Sequence, residues 1–279
     1  MLTPFLMDDI IRRALSEDIG TGDITTLSTI PAEKMTAAVL IAKENGVICG
    51  LPVFSRVYEL LDPAVQVKFE ISEGQRVSKG DRLARIEGPA RSVLTGERVA
   101  LNFLQRLSAI ATKTAWAVSQ VQGTKAAIAD TRKTTPGLRV FEKYAVRIGG
   151  GSNHRFNLAD GILIKDNHIQ AAGGITAAVT QARRQAPHTL KIEVEVENMA
   201  QIDEALACRA DIIMLDNMDQ AGIEAAVARI DGRAIVEISG NMGEKDLAAL
   251  AATGIDLISI GALTHTVKAL DISLRFDLA

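Results

Sequence analysis

From about residue 124 onward the chain repeats one pattern six times: a short apolar run, a polar terminus, and in most cases an Ala-rich stretch with helical spacing. The runs end as "AAIADTRKT", "GILIKDN", "KIEVEVEN", "DIIMLDN", "AIVEISG" and "DLISIGA", and between them lie "ITAAVTQARRQA", "MAQIDEALACR", "AGIEAAVARI" and "EKDLAALAAT". Strands joined by connections this short predict a parallel sheet with right-handed crossovers. Six of them in about 140 residues predict a small α/β barrel rather than an eight-fold one. Aromatic residues are only 4% of the chain, so the core must be built from Ala, Val, Ile and Leu, the usual material of a sheet buried on both faces. In such a barrel functional groups gather at the C-terminal ends of the strands, which is where the polar residues of interest fall.

The first part of the chain reads differently. "DDIIRRALSEDIG" is a helix with a Gly stop. "AAVLIAKENGVICG" predicts two strands joined by an Asn-Gly turn, and "VQVKFEISEGQRVSKGDRLARIEG" predicts a meander of half-buried antiparallel strands. "TGERVALNFLQRLSAIATKTAWAVSQVQG" is one long helix leading into the barrel. The expected organisation is an N-terminal α/β sandwich domain over 1–112 and a barrel over 113–268. A segment over 269–279 is expected to pack back on the first domain.

Totals exclude several function classes. A formal net charge of -3 disfavours general nucleic-acid binding, which needs a basic face to displace counterions. Cys49 and Cys208 are far apart and make no metal or redox spacing, consistent with a reduced, cytoplasmic setting. No stretch reaches the roughly 18 apolar residues of a membrane span, and the acidic N-terminus does not read as a signal peptide.

Charge is sorted along the barrel. Seven Lys or Arg lie between Arg132 and Lys165 against two acids, and eight acids lie between Glu193 and Asp219 against one Arg. Such separation predicts a bipolar site. "TRKT" (131–134) sets Arg132 and Lys133 among hydroxyls at a strand end, either as a solvated loop or as a seat for an anion with more than one charged group. "GGGSNHRFN" offers close backbone approach, followed by His154 and Arg155. Lys165 ends a strand, either as a Schiff-base amine or as a fixed charge. "KIEVEVEN" puts Glu193, Glu195 and Glu197 on one face, which needs cations or a metal if that face is interior. Glu195 and Asp216 end adjacent strands and would hold a hydrated Mg²⁺, ribose hydroxyls, or internal salt bridges to Arg132 or Lys165. Ser239-Gly240 and Gly261 are small strand-end residues suited to a phosphate monoester.

These stretches together, from "EDIGTGDIT" to "ALTHTVKALDISL", resemble the quinolinate phosphoribosyltransferase family. The most specific are "GERVALNFLQRLSAIAT", "DTRKTTPGLRVFEKYAVRIGGGSNHR", "LIKDNHI", "EVEVEN" and "IMLDN". The resemblance implies an N-terminal open-faced α/β sandwich, an α/β barrel, and decarboxylating transfer of phosphoribosyl from phosphoribosyl pyrophosphate to quinolinate, with Mg²⁺. It implies that Thr131, Arg132, Lys133, His154, Arg155 and Lys165 bind the pyridine dicarboxylate and pyrophosphate. Glu195 and Asp216 would stand near the ribose and Mg²⁺, and Ser239, Gly240, Asn241 and Gly261 at a second phosphate site. Lys133, Lys165, Glu195 and Asp216 would carry the catalysis. It further implies a homodimer in which Arg98 reaches the partner's site. Asn241 departs from the family pattern, which usually reads Gly there, and would narrow the phosphate nest. A branch associated with molybdenum transport shares the fold, but the intact cationic and acidic sets are similar to the biosynthetic enzyme. Two other readings are a Schiff-base or phosphate-binding barrel lyase using Lys165, and a non-catalytic sensor using the same pocket. A carrier role for the "EGQRVSKGDRLARIEG" hairpin is discounted, because no Lys sits at the tip of its turn.

Overall fold

The structure is a computed structural model that describes residues 2–242 and 245–276. The chain divides into two compact units. The first comprises Met1–Ala115, Thr135–Gly150 and Thr266–Ala279, and the second Trp116–Thr134 and Gly151–His265. The expected 269–279 segment extends beyond the described residues at 277–279.

The first unit is built on a four-stranded antiparallel sheet. Its strands, with those of a small second ladder, are β1 (Met35–Ala42), β2 (Gly46–Val47), β3 (Gln66–Phe69), β4 (Arg76–Val77) and β5 (Arg82–Pro89). The larger sheet runs β12-β1-β5-β3, where β12 (Ile272–Phe276) is the last strand of the chain and pairs antiparallel with β1. The Asn-Gly segment does not close a hairpin. β2 leaves β1 and pairs instead with β4, so the expected meander is also interrupted. The cause lies in the long helix Ala90–Gln120. Its Thr112 hydroxyl accepts from Val47 N–H at 2.8 Å, and its Ser108 hydroxyl accepts from Cys49 N–H at 3.0 Å. These bonds draw the β2 region onto the helix, away from β1.

The N-terminal helix Pro4–Ile19 starts at Pro, whose missing N–H is no loss in a first turn. It buries Met7, Ile11 and Leu15, one stripe at helical spacing. Helix Leu51–Leu61 places Phe54 edge-on to Tyr58, with centroids 5.5 Å apart, and to Phe69, at 6.3 Å.

The second unit holds the six strands read from the sequence: β6 (Ala127–Ala129), β7 (Ile162–Ile164), β8 (Ile192–Val196), β9 (Ile212–Asp216), β10 (Ile235–Ser239) and β11 (Leu257–Ser259). They form one parallel sheet in the order β6-β11-β10-β9-β8-β7, the α/β barrel arrangement that was expected. The outer edge of β6 is bridged by Ser152, whose N–H donates to Ile128 and whose carbonyl accepts from Asp130. At the start of the strands, Asp211 accepts from Ile192 N–H and Asp256 from Val236 N–H, both at 2.8 Å. Each of these acids satisfies a donor near the start of a neighbouring strand, so that end of the sheet serves stability.

The first crossover breaks the regular pattern. The helix between β6 and β7, Arg139–Ile148, belongs to the first unit. Its buried face includes Phe141, which packs edge-on to Phe103 of the long helix with centroids 5.3 Å apart. Gly149 sits so close to the same helix that an added Cβ would lie 2.5 Å from the Ala111 carbonyl. Charge holds this helix too. Fully buried Glu142 accepts from Arg106 Nε at 2.9 Å and Nη2 at 2.6 Å, and from Thr135 N–H at 3.0 Å. Among the described residues no helix is long and apolar enough to cross a membrane.

The Arg106–Glu142 pair is open to a direct test. Arg106→Ala strands a carboxylate at 0% exposure, a loss that should cost about 3 kcal/mol or more. Urea unfolding should show this as a lower midpoint, while Glu142→Gln with Arg106 intact should cost less.

Candidate active site

The site is assembled from strand ends of the second unit. β6 delivers Asp130, which is fully buried, followed by the loop 131–134. The Thr131 hydroxyl accepts from Lys133 N–H at 3.0 Å, and the Thr264 hydroxyl donates to the Lys133 carbonyl at 2.7 Å. The loop is thus a tied turn whose side chains at Arg132 and Lys133 are exposed. Gly261 is the reason Lys133 can lie where it does, since a Cβ there would meet Lys133 Cδ at 2.9 Å.

Asp130 organises the next segment. Its Oδ1 accepts from His154 N–H at 2.8 Å and its Oδ2 from Asn153 Nδ2 at 2.7 Å. The His154 ring turns inward. Its Nδ1 accepts from Arg155 N–H at 2.7 Å, and its Nε2 lies 3.2 Å from Glu193 Oε2 and 3.6 Å from Glu237 Oε1. Glu193, on β8, and Glu237, on β10, are 4% and 1% exposed. Each has one carboxylate oxygen, Oε1, buried without a hydrogen-bond partner. Burial, then the charge of Glu193, push the Glu237 carboxyl up to about 7 against the pull of His154, Ser259 and Lys165. Burial and the charge of Arg132 lower Arg155 from its ordinary value, while Glu193 opposes the shift.

β7 delivers Lys165. Its Nζ donates to Glu195 Oε2 at 2.5 Å, so one of the salt bridges weighed from sequence is present. A lysine engaged this way serves as a charge rather than as an amine nucleophile. Asp216, at the end of β9, accepts from Asn217 Nδ2 at 2.8 Å. Ser239 stands level with Asp216 in the ladder. Gly240 follows at φ +99°, where a Cβ would lie 2.3 Å from Asn217 Oδ1, so both backbone angle and space demand glycine. Asn241 adopts φ 51°, a left-handed conformation that Asn tolerates.

The structure therefore brings Arg132, Lys133, His154, Arg155, Lys165, Glu195, Asp216, Ser239, Gly240, Asn241 and Gly261 to one end of one sheet. Arg98 is exposed on the long helix of the first unit. Of the seven cations in the sorted run, Arg139, Lys143 and Arg147 belong to the helix of the first unit rather than to the barrel. The three carboxylates in and just after β8 also divide: Glu193 is buried, Glu195 half-buried and ion-paired, and Glu197 exposed. Asp130 and Glu237 were missed as site residues. The signal for each was an acid at the end of, or within, an otherwise apolar strand, in "AIADT" and "AIVEIS". Among the described residues, the donors that cluster tightly enough for a metal are His154, Glu193 and Glu237, within 4.8 Å of one another. Glu195 and Asp216 offer hard oxygen ligands suited to Mg²⁺, but with Lys165 on Glu195 they fit an ion held mainly by ligand phosphates and water.

Fold and strand-end chemistry define an α/β-barrel protein with a mouth built for anions. Comparison with known proteins narrows the class. The model of the quinolinate phosphoribosyl transferase C-terminal domain matches residues 110–275, and that of the N-terminal domain matches residues 23–108. A probable nicotinate-nucleotide pyrophosphorylase (carboxylating) of Bacillus subtilis is 46% identical over 263 residues, 94% of this chain and 91% of the relative. The corresponding Mycobacterium leprae protein is 44% identical over 272 residues, 95% of each chain. Among solved structures, NadC from Streptococcus pyogenes superposes with a TM-score of 0.93 at 47% identity, covering 99% of this chain and 97% of that one. The nicotinate-nucleotide pyrophosphorylase from Francisella tularensis gives 0.95 at 41% identity, covering 99% and 98%. The chain belongs to the quinolinate phosphoribosyltransferase family.

The raised Glu237 carboxyl makes a prediction of definite sign. The folded protein keeps a proton there that the unfolded chain, with an ordinary value of 4.5, gives up. Stability from this group is therefore lost as pH rises from the ordinary carboxyl range to about 7, and is level above that. Glu237→Gln should melt higher than wild type at pH 8, with the difference shrinking toward pH 5. Parallel melting curves for the two proteins at every pH would refute the assignment.

Proposed function

We propose that the protein transfers the phosphoribosyl group of phosphoribosyl pyrophosphate to quinolinate with decarboxylation, giving nicotinate mononucleotide, pyrophosphate and carbon dioxide. The observation that carries this reading is the grouping of Arg132, Lys133, Arg155 and Lys165 with Glu195 and Asp216 at one end of the barrel sheet. Both substrates are strongly anionic, which accounts for a cationic cluster in a chain of net charge -3.

The chemistry asks for little covalent help from the protein. The quinolinate nitrogen forms a bond to ribose C1 as the C1–O bond to pyrophosphate breaks, and positive charge develops on the ribose. Glu195 and Asp216 would stabilise that charge, and Arg132 and Lys133 would hold the anionic groups in line. Mg²⁺, when bound with the pyrophosphate, would offset the negative charge of the leaving group. The ring nitrogen is then cationic. The bond from C2 to its carboxylate breaks, carbon dioxide leaves, the electron pair remains on C2 beside that cation, and a proton from solvent completes the ring. Lys165 would pass from Glu195 to a substrate carboxylate or phosphate, which frees Glu195 to face the ribose. Ser239, Gly240, Asn241 and Gly261 would receive the ribose 5-phosphate through backbone N–H groups. The same reading includes a cytoplasmic homodimer in which Arg98 would serve the partner's site.

Two measurements test this. Quinolinate labelled in the 2-carboxylate should release carbon dioxide only when phosphoribosyl pyrophosphate and Mg²⁺ are both present. No release under any condition would sink the reading, and borohydride trapping of a carbonyl substrate on Lys165 would move it to a lyase. Arg98→Ala and Arg132→Ala subunits should each be inactive alone. Mixed and allowed to exchange, they should recover about one quarter of wild-type activity, since half of the dimers then hold one intact site. No recovery after proven subunit exchange would mean that the sites are not shared.

A further inference from the structure

Glu193 is an expensive residue in its place. It is 4% exposed, the second residue of β8, and its Oε1 has no hydrogen-bond partner. A second buried carboxylate, Glu237, stands close enough to raise its own proton affinity through the Glu193 charge. Burying a carboxylate with one oxygen unpartnered lowers stability. A leucine of similar volume would cost the barrel less, so stability is not what Glu193 supplies.

What it does contact is His154. The ring's Nδ1 accepts from Arg155 N–H at 2.7 Å and must keep its lone pair there, which leaves the proton of a neutral ring on Nε2. Nε2 meets Glu193 Oε2 at 3.2 Å, while Glu237 Oε1, at 3.6 Å, is beyond hydrogen-bonding distance. The His154 backbone is held by Asp130, which accepts from its N–H, and the Arg155 guanidinium by the Gly161 carbonyl, which accepts from Nη1 at 3.0 Å. Charge points the same way. Arg132 acts against the positive charge of Arg155, and Glu193 acts in its favour.

We propose that Glu193 is a positioning residue of this site: its carboxylate at Nε2, together with the Arg155 N–H at Nδ1, fixes His154 as the Nε2–H tautomer. The consequence for the reaction rests on the phosphoribosyl-transfer reading, because His154 and Arg155 so held are groups that would meet the dianionic pyridine. The tautomer and its cause do not depend on it.

The test uses the full-length protein with ¹⁵N-labelled histidine. The chain has four histidines, so His154 can be assigned by comparison with His154→Gln. At pH 8 without substrates, wild type should show His154 protonated at Nε2 alone. Glu193→Leu should show a mixture of tautomers, a melting temperature equal to or above wild type, and a kcat lower by about tenfold to a hundredfold. Glu193→Gln, which keeps an oxygen acceptor but loses the charge, should retain the tautomer and part of the rate, and it serves if the leucine variant does not fold. An unchanged His154 spectrum in both variants overturns the proposal, as does a wild-type kcat in Glu193→Leu. A stoichiometric transition metal in the purified protein that is lost in Glu193→Leu also overturns it, because the cluster would then be a metal site. Absence of quinolinate turnover in wild type would instead remove the functional reading and leave the proposal to be decided by the spectra.

Discussion

The constraint on which the site depends is electrostatic: cations that must converge on an anion repel one another until the anion arrives. Arg132 and Arg155 are near enough for the charge of one to lower the proton affinity of the other. Lys165 stands at the end of β7 with Glu195 of β8 against it at 2.5 Å. The protein resolves the conflict with acids placed inward of the cations: Asp130 pins the backbone at His154, Glu193 faces its ring, and Glu195 holds Lys165. Each costs desolvation, which a preorganised pocket recovers as orientation when substrate binds. Parallel β-structure makes the arrangement possible, since alternate residues of β8 project to opposite faces and neighbouring strand ends lie side by side.

Much of the barrel was legible because its local signals agree with one another. Apolar runs of three to five residues are punctuated by Asp, Gly or Asn, and the helices between them keep Ala at helical spacing. Six parallel strands, Glu195 and Asp216 on adjacent strands, and Lys165 at a strand end all followed from that rhythm. The first unit was harder. Val47 and Cys49 read as the second arm of a hairpin, but their N–H groups are taken by Thr112 and Ser108, about sixty residues later. No local pattern encodes a partner so distant in sequence. The helix Arg139–Ile148 misled for the same reason: by order it is the first barrel crossover, yet its packing partners are Phe103 and Ala111 of the long helix.

The site was legible in its cations and only partly in its acids. Arg132, Lys133, Arg155 and Lys165 stand out because charge at a strand end has few structural uses. His154 was read as one more group facing the ligand, whereas the ring faces Glu193 and Glu237. Alternation along "KIEVEVEN" shows that three carboxylates share a face, but not that depth along the strand divides them into buried, ion-paired and exposed. Glu237 was hidden for a related reason. One acid inside "AIVEIS" has the pattern of a solvent-facing strand residue, and only the closed approach of β8 and β10 around β9 shows that it is interior.

The two acid layers answer different needs. Glu195 is half-buried and accepts from Lys165, so its partner can be exchanged when an anion enters. Glu193 is sealed, and its partner is a histidine held by Asp130 at the backbone N–H and by the Arg155 N–H at ring Nδ1. An exchangeable pair suits a residue that must meet substrate, and a sealed pair suits one that must keep a neighbour still. The same residue type, two positions apart on one strand, is thereby given two functions by depth alone.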